Sequence, residues 1–187
     1  MKTIGKALIA LAVICVSAFA ADESKAIEQY TQAIKFDPSF AVAYVGRGNS
    51  YAELGDYKKA IEDYTQAIKI TPSYAQAYGG RGISYANLGN YEKAIEDLTR
   101  AIEIDPNYAE AYKHRGASYL YCSEYLKAIS DYTRVIEIDP KIVYAYNGRG
   151  LSYANIGDYK KAIEDAKKAC ELGECDLLQA LEKEKMK

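Results

Sequence analysis

Four prolines stand at Pro38, Pro72, Pro106 and Pro140, evenly spaced along the chain. Tyr44, Tyr78, Tyr112 and Tyr146 keep the same step, as do Tyr51, Tyr85, Tyr119 and Tyr153, and Tyr57, Tyr91, Tyr125 and Tyr159. Gly48, Gly82, Gly116 and Gly150 repeat, and so do Ala60, Ala94, Ala128 and Ala162. A unit this short cannot bury an apolar face alone, so the period requires stacked copies rather than one closed core. It also accounts for most of the 19 tyrosines, because Tyr30, Tyr64, Tyr74, Tyr108 and Tyr132 fall on partial series. Tyr121 and Tyr144 belong to none.

Inside a unit the apolar spacing is helical. Tyr44, Gly48 and Tyr51 lie at i, i+4, i+7, and Ala60, Ile61, Tyr64, Ala67 and Ile68 continue the pattern on the next segment. Leu54-Gly55-Asp56 separates the two, with a glycine suited to a left-handed helix end and an aspartate suited to cap the next helix. Each second segment stops at Asp-Pro or Thr-Pro, where proline cannot continue the hydrogen-bond ladder. The unit is helix, tight turn, helix, and Gly48 and Ala60 let the two backbones approach closely.

The charge balance narrows the function. A formal net charge of −2 without a basic block argues against nucleic acid, whose binders show a basic stripe. A single histidine weakens His-based hydrolysis and His-rich metal sites, and neither metal nor cofactor is expected. Residues 1–20 read as a signal peptide: Lys2 and Lys6, then an apolar run from Ala7 to Phe19, then Ala18-Phe19-Ala20 before a cut after Ala20. The run is shorter than the ~20 residues that span a bilayer, so the mature chain is expected to have no membrane span. Ile14 before Cys15 disfavours a lipoprotein signal. The expected location is periplasmic or secreted.

The stretch AYVGRGNSYAELGDYKKAIEDYTQAIKITPSY resembles a tetratricopeptide repeat in its small, aromatic and proline positions. The resemblance covers repeats at 41–74, 75–108, 109–142 and 143–176. Residues 21–40 match only a second helix (Ala26, Tyr30, Ala33 and Pro38 are in step), and 177–187 supply a capping helix with Leu177, Leu178 and Leu181 on one side. The last repeat departs where Ala166 replaces a Tyr or Leu and Gly173-Glu174-Cys175 replaces Asp-Pro.

The resemblance implies an all-α, right-handed α-solenoid of stacked helix-turn-helix repeats of about 34 residues each, with first helices lining a concave wall. Family members commonly bind an extended peptide or a partner helix on that wall. Stepping off the core-facing series gives the expected partner-binding groove: Asn49, Glu53, Gln76, Ile83, Asn87, Lys113, His114, Tyr121, Tyr144, Asn147, Leu151 and Asn155. Glycines at 46, 79, 80 and 148 are expected to leave room there for ligand side chains. Co-chaperone members hold a terminal carboxylate with Lys, Arg and Asn. That cluster is not reproduced, since Lys113 is the one groove lysine.

Unit three departs from the others at Lys113, His114, Tyr121, Cys122 and Ser123. Tyr121 and Tyr144 have no packing role in the repeat and are candidate anchors, being large, rigid and polar-tipped. His114, with no second ligand at helical spacing, reads as drift. Arg47, Arg81, Arg115 and Arg149 recur where the family more often has leucine. They suit contact with the flanking tyrosines and pairing with acids such as Asp63, Asp97 or Asp131, or else a ladder reading an acidic ligand; their constant tyrosine context favours the first. Glu62-Asp63 and Glu96-Asp97 are expected on solvated faces.

Cys122, Cys170 and Cys175 remain after cleavage, an odd number for an oxidising compartment. On a continuous helix Cys170 and Cys175 are more than ~7 Å apart, whereas a helix end at Gly173 allows them to bond. No nucleophile, base and orienting group converge, so an enzyme is not expected. The reading is an exported protein-interaction module, a scaffold or assembly factor of the cell envelope. The alternative is a structural protein forming a homodimer through the orphan helix at Ser24–Phe36, whose stripe is Ala26, Ile27, Tyr30, Ala33 and Ile34.

Overall fold

The computed structural model describes residues 22–185, so the leader, Cys15 and the cut after Ala20 lie outside the described residues. Helix α1 spans 22–36. It is followed by α2 (Ala41–Glu53), α3 (Tyr57–Ile70), α4 (Ala75–Asn87), α5 (Tyr91–Ile104), α6 (Ala109–Tyr121), α7 (Tyr125–Ile138), α8 (Val143–Asn155), α9 (Tyr159–Glu171) and α10 (Asp176–Lys185). No strand occurs among the described residues, and no helix among them is long and apolar enough to cross a membrane. The chain divides into one unit ending at Ser84 and a second beginning at Tyr85.

The turns follow from the local sequence. Gly55 takes φ +78°, and Asp56 N–H then reaches back to the Tyr51 carbonyl at 2.8 Å, closing the end of α2. The Asp56 side chain accepts from Lys59 N–H at 3.3 Å and starts α3; Asn90 and Asp158 do the same for α5 and α9. Between α6 and α7 the chemistry is weaker. Ser123 occupies the left-handed position at φ 60°, and Glu124 makes no side-chain cap. Second helices end before their prolines, and Asp37, Asp105 and Asp139 turn back onto the amides of Ser39, Asn107 and Lys141.

In the first unit α2 and α3 form a hairpin around Ala41, Val45, Ala60, Tyr64, Ala67 and Ala77. Ala60 and Ala67 have no exposed surface, so the backbones meet without intervening side chains. In the second unit α6 pairs with α7 and α8 with α9, α5 packs on α6, and α7 on α8. Its cores are Ala128, Tyr132, Val135 and Ala145, and then Ala162, Ala166 and Leu181. Leu177, Leu178 and Leu181 of α10 lie on that last cluster, and their helix begins at Asp176, one residue before the expected cap.

The glycines at 46, 80 and 148 correct the expectation that they leave space for a ligand. A Cβ at Gly46 would stand 2.3 Å from the Tyr30 ring, at Gly80 2.5 Å from Tyr64, and at Gly148 2.4 Å from Tyr132. Each slot is filled by a tyrosine of the preceding second helix. Tyr64 and Tyr132 also press on Gly48 and Gly116, so each ring is held between two glycines. In the second unit the same register matches Leu98 with His114. Where the tyrosine is a leucine, the glycine is a histidine. At this register a large–small pair is exchanged for a medium–medium one.

The carboxylate pairs need a second correction. Glu62 and Glu96 are exposed, but Asp63 and Asp97 are buried. Asp63 receives both Nε and Nη2 of Arg47, at 2.8 and 2.7 Å.

Candidate protein-binding pocket

The recurrent arginines are structural. Arg115 grips Asp131 and Arg149 grips Asp165 with the same two-pronged geometry as Arg47 on Asp63. The remaining Nη1 donates to a threonine of the preceding second helix: Thr31 from Arg47, Thr65 from Arg81, Thr99 from Arg115 and Thr133 from Arg149. Each guanidinium also lies within 5.6–5.9 Å of the tyrosine three residues before it. Asp63 raises the Arg47 pKa, chiefly by accepting its hydrogen bonds. Asp131 is buried deeply enough that its pKa rises despite Arg115.

The expected groove residues do not all meet. In the first unit Asn49, Glu53 and Gln76 are exposed and Ile83 half-buried, and the Asn49 Oδ1 already accepts the Tyr64 hydroxyl at 2.7 Å. In the second unit Asn87 is exposed, and Asn155 is exposed with its amide returned to the Leu151 carbonyl at 2.9 Å. Lys113 and His114 stand half-buried on α6, each 3.9 Å from Glu110. Burial first, and the neighbouring Lys113 second, push the His114 pKa down to about 4, which leaves the ring neutral at ordinary pH.

Tyr121, Tyr144, Asn147 and Leu151 come together. With Ala117, Leu120, Tyr132 and Gly148 they line a cavity of about 340 Å³, closed at one side by Glu174, Asp176 and Leu177. Helix α6 supplies one wall, α8 the other, and α7 the Tyr132 ring at the base. Tyr121 and Tyr144 do have packing partners, contrary to the expectation from the repeat. Tyr121 stacks on Tyr91 with centroids 4.7 Å apart, and Tyr144 meets Tyr132 edge-on at 6.1 Å. Each partner holds one side of the ring and leaves the rest open, so Tyr121 is 67% and Tyr144 51% exposed. A ring fixed on one face and wet on the other loses little entropy when a ligand covers it.

Two features of the pocket escape the repeat pattern. The Asn147 Oδ1 is buried with no hydrogen-bond partner among the described residues. An unpaired buried acceptor costs about 1–3 kcal/mol and invites a donor. Glu174 and Asp176 enter from the segment that replaces Asp-Pro, and the Cys170–Cys175 disulfide (Cα–Cα 4.1 Å) holds that segment. Gly173, at φ +110°, ends α9 and lets the two cysteines meet, while Cys122 is a free thiol. The departure from Asp-Pro was visible in the sequence. Its approach to the pocket was not.

These hairpins and this pocket define a helical-repeat protein-interaction module, of the α-solenoid class. The chain belongs to the tetratricopeptide-repeat family: models described as TPR repeat match residues 24–55 and 48–89, and tetratricopeptide-repeat models match 75–108, 109–142 and 143–174. It is similar to the crystal structure of MamA (TM-score 0.76, 32% identity, 81% of this chain and 89% of that one). It is also similar to YrrB, a TPR protein described as having an unusual peptide-binding site (TM-score 0.74, 27% identity, 88% and 84%). A third likeness is to the first TPR of Spaghetti (RPAP3) bound to the HSP90 peptide SRMEEVD (TM-score 0.62, 27% identity, 63% and 93%). No curated protein matches.

Proposed function

We propose that this chain binds a peptide segment of a partner protein on the exposed faces of its first helices, as a scaffold or assembly factor of the cell envelope. The observation carrying this reading is the convergence of two open tyrosines, an unpaired amide oxygen and apolar walls in one pre-formed pocket. Peptide-bound and peptide-binding relatives of this fold support it. The envelope setting rests on the leader sequence and on the Cys170–Cys175 bond, since disulfides persist in oxidising compartments. A photo-crosslinking residue placed at Tyr144 or Leu151 in the producing cell should yield protein adducts, while one at exposed Glu164 on α9 should not. Adducts from Glu164 alone would overturn the reading.

Self-association through α1 is a second reading with one observation in its favour. Phe36, at the end of α1, is 93% exposed, and Phe40 follows it at the surface. Sedimentation over a wide concentration range decides it, since a strict monomer excludes the homodimer.

A further inference from the structure

We propose that the pocket between α6 and α8 takes the side chain of an arginine or lysine in the partner peptide; this rests on the peptide-binding reading and names what the site selects. The pocket's formal charges are one-sided. Glu174 and Asp176 contribute carboxylates, Asn147 contributes an unpaired Oδ1, and no lysine, arginine or histidine lines it. Arginine and lysine are the permanently cationic side chains, and they donate without accepting, which matches a site whose charged groups are both carboxylates. The rest of the wall suits the same group. Tyr121 and Tyr144 present aromatic surface to a cation, and Leu120, Leu151 and Leu177 present apolar surface to its methylene stem. Glu174 and Asp176 form no ion pair among the described residues, so a ligand cation displaces no internal partner.

Size and rigidity agree. About 340 Å³ lies at the small end of ligand pockets, enough for one long side chain rather than a folded ligand. Glu174 and Asp176 flank Cys175, whose bond to Cys170 holds the rim in place. An acidic peptide such as the SRMEEVD segment bound by the RPAP3 domain presents carboxylates, and here these would meet carboxylates.

The test is an NMR titration of the isotope-labelled, oxidised chain with capped pentapeptides Gly-Ser-X-Ser-Gly, where X is arginine, lysine, citrulline, leucine or glutamate. Arginine and lysine peptides should shift the amides of Tyr144, Asn147, Leu151 and Asp176. Citrulline, which keeps the shape and removes the charge, should bind about tenfold more weakly, and glutamate should not bind. The double variant Glu174→Gln, Asp176→Asn should lose the preference for arginine over citrulline, and both positions are exposed enough to leave the fold intact. Equal binding of citrulline or leucine at those amides overturns the basic-residue inference and leaves the groove reading standing. Shifts from no peptide overturn the inference, and the crosslinking pattern then judges the groove by itself.

Discussion

The exchange of Leu98 and His114 for the tyrosine–glycine pair found elsewhere can be reversed, and the reversal measures how strictly the packing layer is conserved in volume. At Gly80 and Gly148 any Cβ would come within 2.5 Å of the facing tyrosine ring, so the two partners share one space. Leu98→Tyr alone drives a ring into the position of His114, and overpacking of a close-packed layer costs about 1–3 kcal/mol. His114→Gly alone removes a half-buried ring and places glycine inside α6. The glycine by itself costs about 1 kcal/mol, and the emptied space adds roughly 1–2 more. If the effects added, the double variant would lose about 4 kcal/mol. The structure predicts instead that Leu98→Tyr, His114→Gly lies within about 1 kcal/mol of the parent, because the new ring enters the new slot and its burial offsets the glycine. The coupling should therefore be about 3–4 kcal/mol, large for one pair. Urea unfolding followed by helical circular dichroism reads it, with an unchanged slope confirming that the transitions are comparable. A double variant as unstable as the sum of the singles would refute the complementarity. The mirror exchange, Tyr132→Leu with Gly148→His, should behave in the same way.

Three further outcomes follow from the same geometry. Ser123→Gly should raise stability by about 1 kcal/mol in a thermal melt, because Ser123 holds φ 60° where Gly55, Gly89 and Gly157 hold the corresponding turns. Arg115→Leu leaves the Asp131 carboxylate buried without its two-pronged partner and should cost about 3 kcal/mol in the same melt; Asp131→Asn added to it should recover part of that loss. His114 has a folded-state pKa near 4, below its unfolded value of 6.5, so its neutral form is favoured by the fold. That contribution is present above pH 6.5 and is lost as pH falls toward 4, by up to about 3 kcal/mol. Comparing melting at pH 7 and pH 5 for the parent and for the Leu98→Tyr, His114→Gly variant isolates it, and an identical acid loss in both would exclude the histidine as its source.

The hairpins were legible because everything that defines them is local. Gly55 beside Asp56, proline after Asp105 and the alanine series at Ala60 and Ala67 act within a few residues through backbone hydrogen bonds and side-chain spacing. The arginine–aspartate pairs were legible as well, since the constant tyrosine context pointed to packing. The reading failed where a residue's neighbour lies on another helix. The glycines at 46, 80 and 148 looked like open floor because the rings of Tyr30, Tyr64 and Tyr132 arrive from the second helix before them. Tyr121 and Tyr144 seemed to lack partners until Tyr91 and Tyr132 were brought beside them.

By itself, then, the repeat period determined the helices, their turns, the family and the face on which a partner is sought. Only the tertiary structure decided which of the twelve expected groove residues converge, and that Glu174 and Asp176 join Tyr121, Tyr144, Asn147 and Leu151. The physical reason is the range of the interactions. Hydrogen-bond ladders and caps are set within one turn of chain, whereas a pocket is set by how successive helices come to rest on one another's side chains. Here tyrosines held between glycines set the packing of α7 against α6 and α8, and a disulfide holds the acidic segment after α9.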